Sequence, residues 1–202
     1  EESKDKRKWL PGQSWSLDHK GPMEVKSLGG ALYEWEIHDQ GTGKLLGASS
    51  KDRRSIGDSI YKLALWTERV TGNKLVRIVC DNALEYIAPN SLMGKYCGDN
   101  GISVVPRTVC EGDENQRAET AHRFRGEIAL SCRIRALLPK SFWAEAGNFA
   151  RIIKARICEK GKDQTPDEKF LQVKPDLGEI RIFGSIAYCF VPSKKRKSQD
   201  HR

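Results

Sequence analysis

Near the start of the chain, three short segments have patterns typical of β-strands, and in the second of them apolar and polar residues alternate. These segments lie at 15–18, 31–37 and 44–49, and a glycine-rich turn at 41–43 separates the second from the third. The pattern predicts three consecutive strands joined by short connections.

A helical period follows these strands. Apolar residues recur on one helical face from Ile56 to Ala64, which predicts a helix to about residue 70 that Asp52 or Ser55 caps and Gly72 ends. Next comes a nearly continuous apolar run at 75–80, as expected for a strand covered on both faces.

The second half of the chain is predicted to be mainly helical. A short helix at 89–98, a strand at 102–105 and a mobile polar loop at 106–114 precede two long helices at 115–136 and 139–158. The buried stripe predicted for the last helix comprises Phe142, Ala146, Phe149 and Ile153. A proline-bounded loop then leads to predicted strands at 180–183 and 186–191.

Composition favours one soluble domain with an anionic partner. The 202 residues are 38% hydrophobic and 31% charged, and the net charge is +8. Basic residues cluster at both termini and on the helix at 115–136, which favours nucleic acid over a merely solvated surface. No signal peptide and no apolar run of about 18 residues is found, so no membrane partner is expected and an intracellular protein is predicted.

The six cysteines are dispersed, and none forms a Cys-x-x-Cys pair. Several lie in apolar patterns, which predicts buried thiols in a reducing compartment and no zinc site.

Three acidic residues occur at positions from which they can converge on a metal ion. Asp18 and Asp81 each follow a predicted strand, and Glu119 lies near the start of a predicted helix. Carboxylate oxygens are the ligands that Mg²⁺ prefers. Without further context both aspartates also suit turns, and Glu119 also suits a helix N-terminus or an ion pair with Arg123. Rival third ligands are Glu85, Glu114 and Glu127.

The residues around these carboxylates resemble the integrase catalytic region of copia-type (Pseudoviridae) LTR retrotransposons, from about Pro11 to Pro192. The matching segments are Asp18-x-x-Gly21-Pro22, Asp81-Asn82-x-x-Glu85-Tyr86, Asn115-x-x-Ala118-Glu119-x-x-x-Arg123, Leu138–Ala146, Thr165-Pro166-Asp167-Glu168, Lys174-Pro175-Asp176 and Arg181–Tyr188. Of these, Leu138–Ala146 and Arg181–Tyr188 are particular to that family.

The resemblance implies an α/β, RNase H-like fold of the retroviral integrase superfamily, with a mixed five-stranded sheet flanked by helices and a small C-terminal extension. The expected organisation is a basic linker at 1–13, the catalytic core at 14–160, a family-specific extension at 161–192 and a basic tail at 193–202. Retroviral-type integrases carry a His/Cys zinc domain upstream of the core, and none is visible here.

For function, the resemblance implies metal-dependent 3′-end processing of element DNA and its strand transfer into target DNA. Asp18, Asp81 and Glu119 would hold two Mg²⁺ or Mn²⁺ ions. DNA contacts are expected from Arg117, Arg123, Arg125 and the tail residues Lys194, Lys195, Arg196 and Lys197. Element and target DNA, a homo-oligomer and no small-molecule cofactor are implied. The expected location is the nucleus, after cytoplasmic assembly, and the basic tail is a candidate nuclear address.

Several positions depart from the family pattern. Ala83 and Leu84 replace two glycines after Asp81-Asn82, Gln116 replaces a glycine before Ala118-Glu119, and Thr120 replaces an arginine. Alanine and leucine resist the positive φ angles that glycine allows. The alternative prediction is therefore an inactive or co-opted remnant that binds DNA or protein.

Overall fold

In the computed structural model, residues 8–80, 87–106, 112–188 and 190 are described, and for 112–117 the backbone alone is described. The strands are β1 (Ser14–Lys20), β2 (Tyr33–Asp39), β3 (Leu45–Ser50), β4 (Arg77–Cys80) and β5 (Ser103–Pro106). The helices are α1 (Arg54–Thr71), α2 (Leu92–Asp99), α3 (Gly112–Arg135), α4 (Trp143–Ala155) and α5 (Pro166–Leu171), and a 3₁₀ turn at Lys140–Phe142 precedes α4.

The five strands form one mixed sheet in the order β3-β2-β1-β4-β5. The β1–β2 and β2–β3 pairs are antiparallel, whereas β4 runs parallel to both β1 and β5. This arrangement confirms the predicted order of elements and the RNase H-like α/β fold.

One face of the sheet carries the apolar core. Trp15 and Leu17 of β1 alternate with polar neighbours, so both point to the same side of the sheet as Ile37 of β2. They form one buried cluster with Ile56 and Ile60 of α1. The apolar positions predicted for the early strands and for α1 are therefore confirmed.

The C-terminal end of α1 matches its predicted signal, whereas the N-cap is Arg53, which makes no side-chain capping hydrogen bond. The Asp52 carboxylate accepts a hydrogen bond from the Ser55 backbone N–H (2.9 Å), and Gly72 ends the helix with a φ of 70°. The left-handed backbone at this position is the conformation that glycine adopts without steric cost.

The other face of the sheet lies against α3 and α4, and here one prediction was wrong. The buried residues of α4 are small or basic, namely Ala144, Ala146, Gly147, Ala150, Arg151, Lys154 and Ala155. Of the predicted stripe, only Ala146 is buried, and Phe142, Phe149 and Ile153 are half-buried. The face of α4 that lies against the sheet is therefore the small and basic one, not the predicted apolar one. The reason is that β2 presents carboxylates, not apolar side chains, on this face of the sheet.

The C-terminal part also differs from its prediction. Instead of a loop, residues after Thr165 form α5, which begins with a reciprocal capping box between Thr165 and Glu168. Its Phe170 is fully buried and stacks on Trp66 at 5.9 Å between ring centroids. The described residues of 180–190 contain no strand, and Ile186 and Tyr188 are more than four-fifths exposed.

Two of the predicted buried thiols, Cys80 and Cys97, are buried, whereas Cys158 is exposed and Cys132 is half-buried. Cys110 and Cys189 lie outside the described residues. No helix in the described ranges is long and apolar enough to span a bilayer.

Candidate active site

Asp18 lies within β1 near its C-terminal end, on the face of the sheet that α3 and α4 cover. Its register partner on β2 is Glu36, and paired residues share a face of the sheet. Asp18 lines a cavity of about 720 Å³, and residues Arg123, Gly126 and Leu130 of α3 line the same cavity.

The end of β4 lies directly beside β1. Leu17 is in register with Cys80, the last residue of β4. Asp81 is the next residue in the sequence and lies outside the described residues, as does the rival ligand Glu85. The strand that carries Asp18 is therefore the neighbour of the strand that ends one residue before Asp81 in the sequence, and the placement of Asp81 itself stays a prediction.

Glu119 is exposed on α3, on the flank that borders the cavity. Residues three or four apart share a helical face, so Glu119 lies one turn before Arg123 and two turns before Gly126. The rival ligand Glu127 also lines the cavity, but its carboxylate lies 4.0 Å from Arg123 Nε. The side chain of Glu114 is outside the described part of the chain.

The three predicted ligands suit a hard divalent cation, since a carboxylate supplies only oxygen donors. In the described residues, no three His, Cys, Asp or Glu side chains converge on a common point that could hold a metal ion. Because Asp81 is outside those residues, the convergence of Asp18, Asp81 and Glu119 stays a prediction.

Arg125, one of the predicted DNA contacts, is largely buried in ion pairs. Its guanidinium donates to both oxygens of Glu34 (3.1 Å each), and its Nε lies 2.9 Å from Glu36 Oε2. Arg151 of α4 donates to the same two carboxylates at 3.0 Å. These ion pairs account for the position of Arg125 without DNA.

The remaining predicted DNA contacts are exposed or undescribed. The side chain of Arg123 is 75% exposed, and it lines both the cavity at Asp18 and a second one of about 1140 Å³. The side chain of Arg117 and the tail residues Lys194, Lys195, Arg196 and Lys197 lie outside the described residues.

The carboxylates of β2 were not among the residues predicted from the sequence. Glu34 and Glu36 alternate with apolar residues and would ordinarily face solvent, yet both are at least 95% buried. A usable signal was present in α4, because Arg151 and Lys154 recur at helical spacing with Ala144 and Gly147. Basic residues on a stripe of small residues indicate that the opposite surface is acidic.

Burial and ion pairing shift the protonation equilibria of this region. Burial raises the pKa of Glu36, but the hydrogen bond from His122 and the charges of Arg125 and Arg151 outweigh it, so the pKa is lowered. Burial, with the charges of His122 and Lys154, lowers the pKa of His38 to about 4. At neighbouring Asp39, burial raises the pKa to about 6 despite hydrogen bonds from Thr42 and Gly12.

Known proteins similar to this chain come from plant transposons. The chain is 30% identical over 186 residues to the retrovirus-related Pol polyprotein from transposon TNT 1-94 of Nicotiana tabacum, covering 90% of the chain and 14% of that protein. It is 22% identical over 152 residues to the corresponding polyprotein from transposon RE2 of Arabidopsis thaliana, covering 74% of the chain and 10% of that protein. The chain thus spans a small part of each relative. No protein-family model matches it.

Solved structures with the same fold are retroviral integrase domains. The catalytic core domain of BIV integrase matches with a TM-score of 0.58 at 12% identity, covering 80% of this chain and 95% of that one. The HTLV-2 integrase catalytic core domain, solved in complex with magnesium in a trimeric form, matches with a TM-score of 0.58 at 14% identity, covering 81% and 99%. The chain is therefore a homologue of the Pol polyproteins of plant copia-type transposons, and its fold is that of a retroviral integrase catalytic core.

Proposed function

We propose that the chain is a DNA integrase catalytic domain that processes the 3′ ends of retrotransposon DNA and joins them to target DNA. The observation that carries the proposal is the alignment of β1 with β4 within an integrase-core fold. Asp18 lies one residue beyond Leu17, and Asp81 one residue beyond its register partner Cys80.

Asp18, Asp81 and Glu119 would hold Mg²⁺ or Mn²⁺, two ions per site. Bound there, the metal would activate the attacking hydroxyl and stabilise the leaving oxygen of a phosphodiester. The magnesium complex of the HTLV-2 domain, which has the same fold, supports this assignment.

The surroundings of Asp18 suit a phosphodiester strand. Lys20, Arg123, Arg133 and Lys140 line the cavity together with Asp18. Their positive charges would attract DNA phosphates and align the strand. Arg123 is the most exposed of the predicted contacts whose side chains are described, and we assign it to phosphate binding. Arg125 is left out, because Glu34 and Glu36 already hold its guanidinium.

A strand-transfer assay tests the proposal. The chain is incubated with a labelled duplex that carries the element's end sequence, a supercoiled target plasmid, and Mg²⁺ or Mn²⁺. We expect metal-dependent nicking and joined products, and their loss in Asp18→Asn, Asp81→Asn and Glu119→Gln. The matched control is Glu127→Gln, which changes a neighbouring carboxylate of α3 and should retain activity.

The same assay separates the alternative function. A chain that binds DNA but yields no product with either metal would contradict the proposal and favour an inactive or co-opted binding module. The loss of glycines at Ala83 and Leu84 is the observation that favours this second candidate.

DNA binding itself should be largely electrostatic. With a net charge of +8, we expect affinity for duplexes of unrelated sequence to fall by at least about tenfold between low and physiological salt. Titration of a fluorescent duplex measures this dependence, and Arg123→Gln should reduce the salt slope. An affinity that does not change with salt would show that the positive charge serves only solubility.

The oligomeric state and the location are further parts of the proposal. The trimeric form of the HTLV-2 domain supports self-association, which light scattering would test. For Lys194–Lys197 we propose a nuclear address. A fluorescent cargo fused to residues 190–202 that stays in the cytoplasm would contradict it.

A further inference from the structure

Four charged side chains and one histidine are buried between the sheet and the two helices that cover its polar face. They are Glu34 and Glu36 of β2, His122 and Arg125 of α3, and Arg151 of α4, here termed the charged layer. No side chain of the charged layer is more than 15% exposed.

Each carboxylate of the charged layer binds cations from both helices. Glu34 accepts from Arg125 of α3 at 3.1 Å and from Arg151 of α4 at 3.0 Å. Glu36 lies 2.9 Å from Arg125 Nε, accepts from Arg151 at 3.0 Å and also pairs with His122 Nδ1. The three elements are therefore joined at two adjacent points, not at one.

This contact fixes geometry more than it adds stability. The free energy cost of removing charges from water largely offsets the attraction between them, so a buried ion pair is weak evidence for stability. A guanidinium that donates to both oxygens of a carboxylate permits only one relative position, whereas an apolar contact tolerates sliding. The packing is also tight, since a Cβ at Gly147 of α4 would lie 2.7 Å from Glu34 Oε1.

The charged layer lies beside the proposed catalytic carboxylates. Glu36 is the register partner of Asp18 across the β1–β2 pair. His122 follows Glu119 by three residues, which places the two on adjacent turns of α3. The contact between Glu36 and His122 thus connects the strand that pairs with Asp18 to the part of α3 that carries Glu119.

We propose that the charged layer is a positioning device, in which Glu36, through His122 and Arg125, fixes the register of α3 so that Glu119 faces Asp18. These side chains act through α3 and do not contact the substrate. The inference rests on the proposed function and adds to it the residues that hold the third ligand in place.

Glu36→Gln tests the proposal, and Asp167→Asn is its matched control. The substitution at Glu36 keeps the shape of the side chain and removes the negative charge that pairs with Arg125 and Arg151 and contacts His122. Asp167 of α5 is equally buried, but its ion pairs are with Lys44 and Arg156, which are not members of the charged layer. Each protein is measured at the same temperature interval below its own melting temperature. A general loss of stability then contributes nothing to the differences between the variants and the wild type.

Two measurements are made on these proteins. Hydrogen exchange should show that Glu36→Gln lowers protection of the amides at 118–126 by about tenfold more than that of α1, while Asp167→Asn lowers both equally. The Mn²⁺ concentration for half-maximal DNA nicking should rise by roughly threefold or more in Glu36→Gln and remain unchanged in Asp167→Asn.

The milder variant Arg125→Lys keeps the charge but loses the two parallel hydrogen bonds, so it should shift both measurements in the same direction by less. If Glu36→Gln does not fold, Arg125→Lys replaces it in both measurements. The proposal would be overturned if Glu36→Gln and Asp167→Asn changed the Mn²⁺ requirement equally. It would also be overturned if Glu36→Gln lowered amide protection by the same factor in 118–126 and in α1. If the wild type does not nick DNA, the proposed function fails, and the exchange experiment still decides whether the charged layer fixes α3.

Discussion

The two faces of the sheet contact their helices through different interactions, apolar packing on one face and ion pairs on the other. Towards α1, Trp15, Leu17 and Ile37 are buried among apolar side chains. Towards α3 and α4, β2 presents Glu34 and Glu36, which are nearly as well buried but bind arginines. Burial alone therefore does not distinguish a core that drives folding from a contact that sets geometry.

The comparison separates two roles within one small domain. An apolar face gains free energy roughly in proportion to the area removed from water, and many similar packings satisfy it. A charged face gains little net free energy, but it penalises every arrangement except the paired one. The face with strict geometry is the one on which Asp18 lies.

Breaking the charged face at one point should have the largest effect on stability. Arg151→Met removes one of two cations shared by Glu34 and Glu36, and leaves buried negative charge uncompensated. We expect the free energy of unfolding to fall by about 3–5 kcal/mol, measured by urea denaturation. A loss below about 1 kcal/mol would show that water reaches these carboxylates.

Removing both carboxylates together with both arginines is the control for that experiment. Leucine at Glu34, Glu36 and Arg125, together with Arg151→Met, should leave stability within about 2 kcal/mol of the wild type. If the fourfold variant is as unstable as Arg151→Met, then the charged face contributes stability directly and the contrast between the two faces fails.

The pH dependence of stability gives the next largest effect. The pKa of His38 is about 4 when folded and 6.5 when unfolded, so between these values the unfolded chain binds a proton that the folded chain does not. Stability contributed by neutral His38 is thus present above pH 6.5 and is lost as the pH falls towards 4, by up to ~3 kcal/mol.

Asp39 acts in the opposite direction over nearly the same range. Its pKa rises from 3.8 to about 6 on folding, so its contribution is present below pH 3.8 and is lost as the pH rises to 6. In His38→Gln we therefore expect stability to decline less on acidification than in the wild type. Urea midpoints measured from pH 4 to 7 give the difference between the two proteins, and a difference that is constant with pH would contradict the assignment.

Two glycine substitutions should give the smallest changes in the free energy of unfolding, one an increase and the other a decrease. Alanine in place of a helical glycine normally stabilises by about 1 kcal/mol. Gly126→Ala should do so, because a Cβ at Gly126 meets nothing within 4 Å. Gly147→Ala should instead destabilise by about 1–2 kcal/mol, since its Cβ would press on Glu34 and Arg125. Thermal unfolding measures both, and stabilisation by Gly147→Ala would show that the charged layer is loosely packed.

The apolar half of the fold was predictable from the sequence, because period and burial coincide there. Alternation located β2, and the run at 75–80 located β4, whose Ile78 and Val79 are buried as expected. Within the described residues, the strands expected at 180–183 and 186–191 do not form, for a different physical reason. An apolar run predicts a strand only if a neighbouring strand is available to pair with it, and sequence does not reveal that neighbour.

The site was predictable only in part. The strand pattern and the family resemblance pointed to Asp18 and Glu119, which the structure describes near the end of β1 and on α3, and their role at the site stays a prediction. The interaction of Arg125 with Glu34 was not predictable, because 91 residues separate them and both residues normally face water. Partners that are distant in sequence and bury charge become apparent only in the folded chain.

The most direct test of the account is the location of Mn²⁺ in a crystal of the chain bound to element-end DNA. Anomalous scattering identifies the metal independently of the positions assigned to the protein atoms. The account predicts a peak whose ligands are carboxylate oxygens of Asp18, Asp81 and Glu119, at about 2.1 Å. A peak held by other residues, such as Glu24 or Glu127 of the same cavity, or Glu119 directed away from an occupied site, would contradict it.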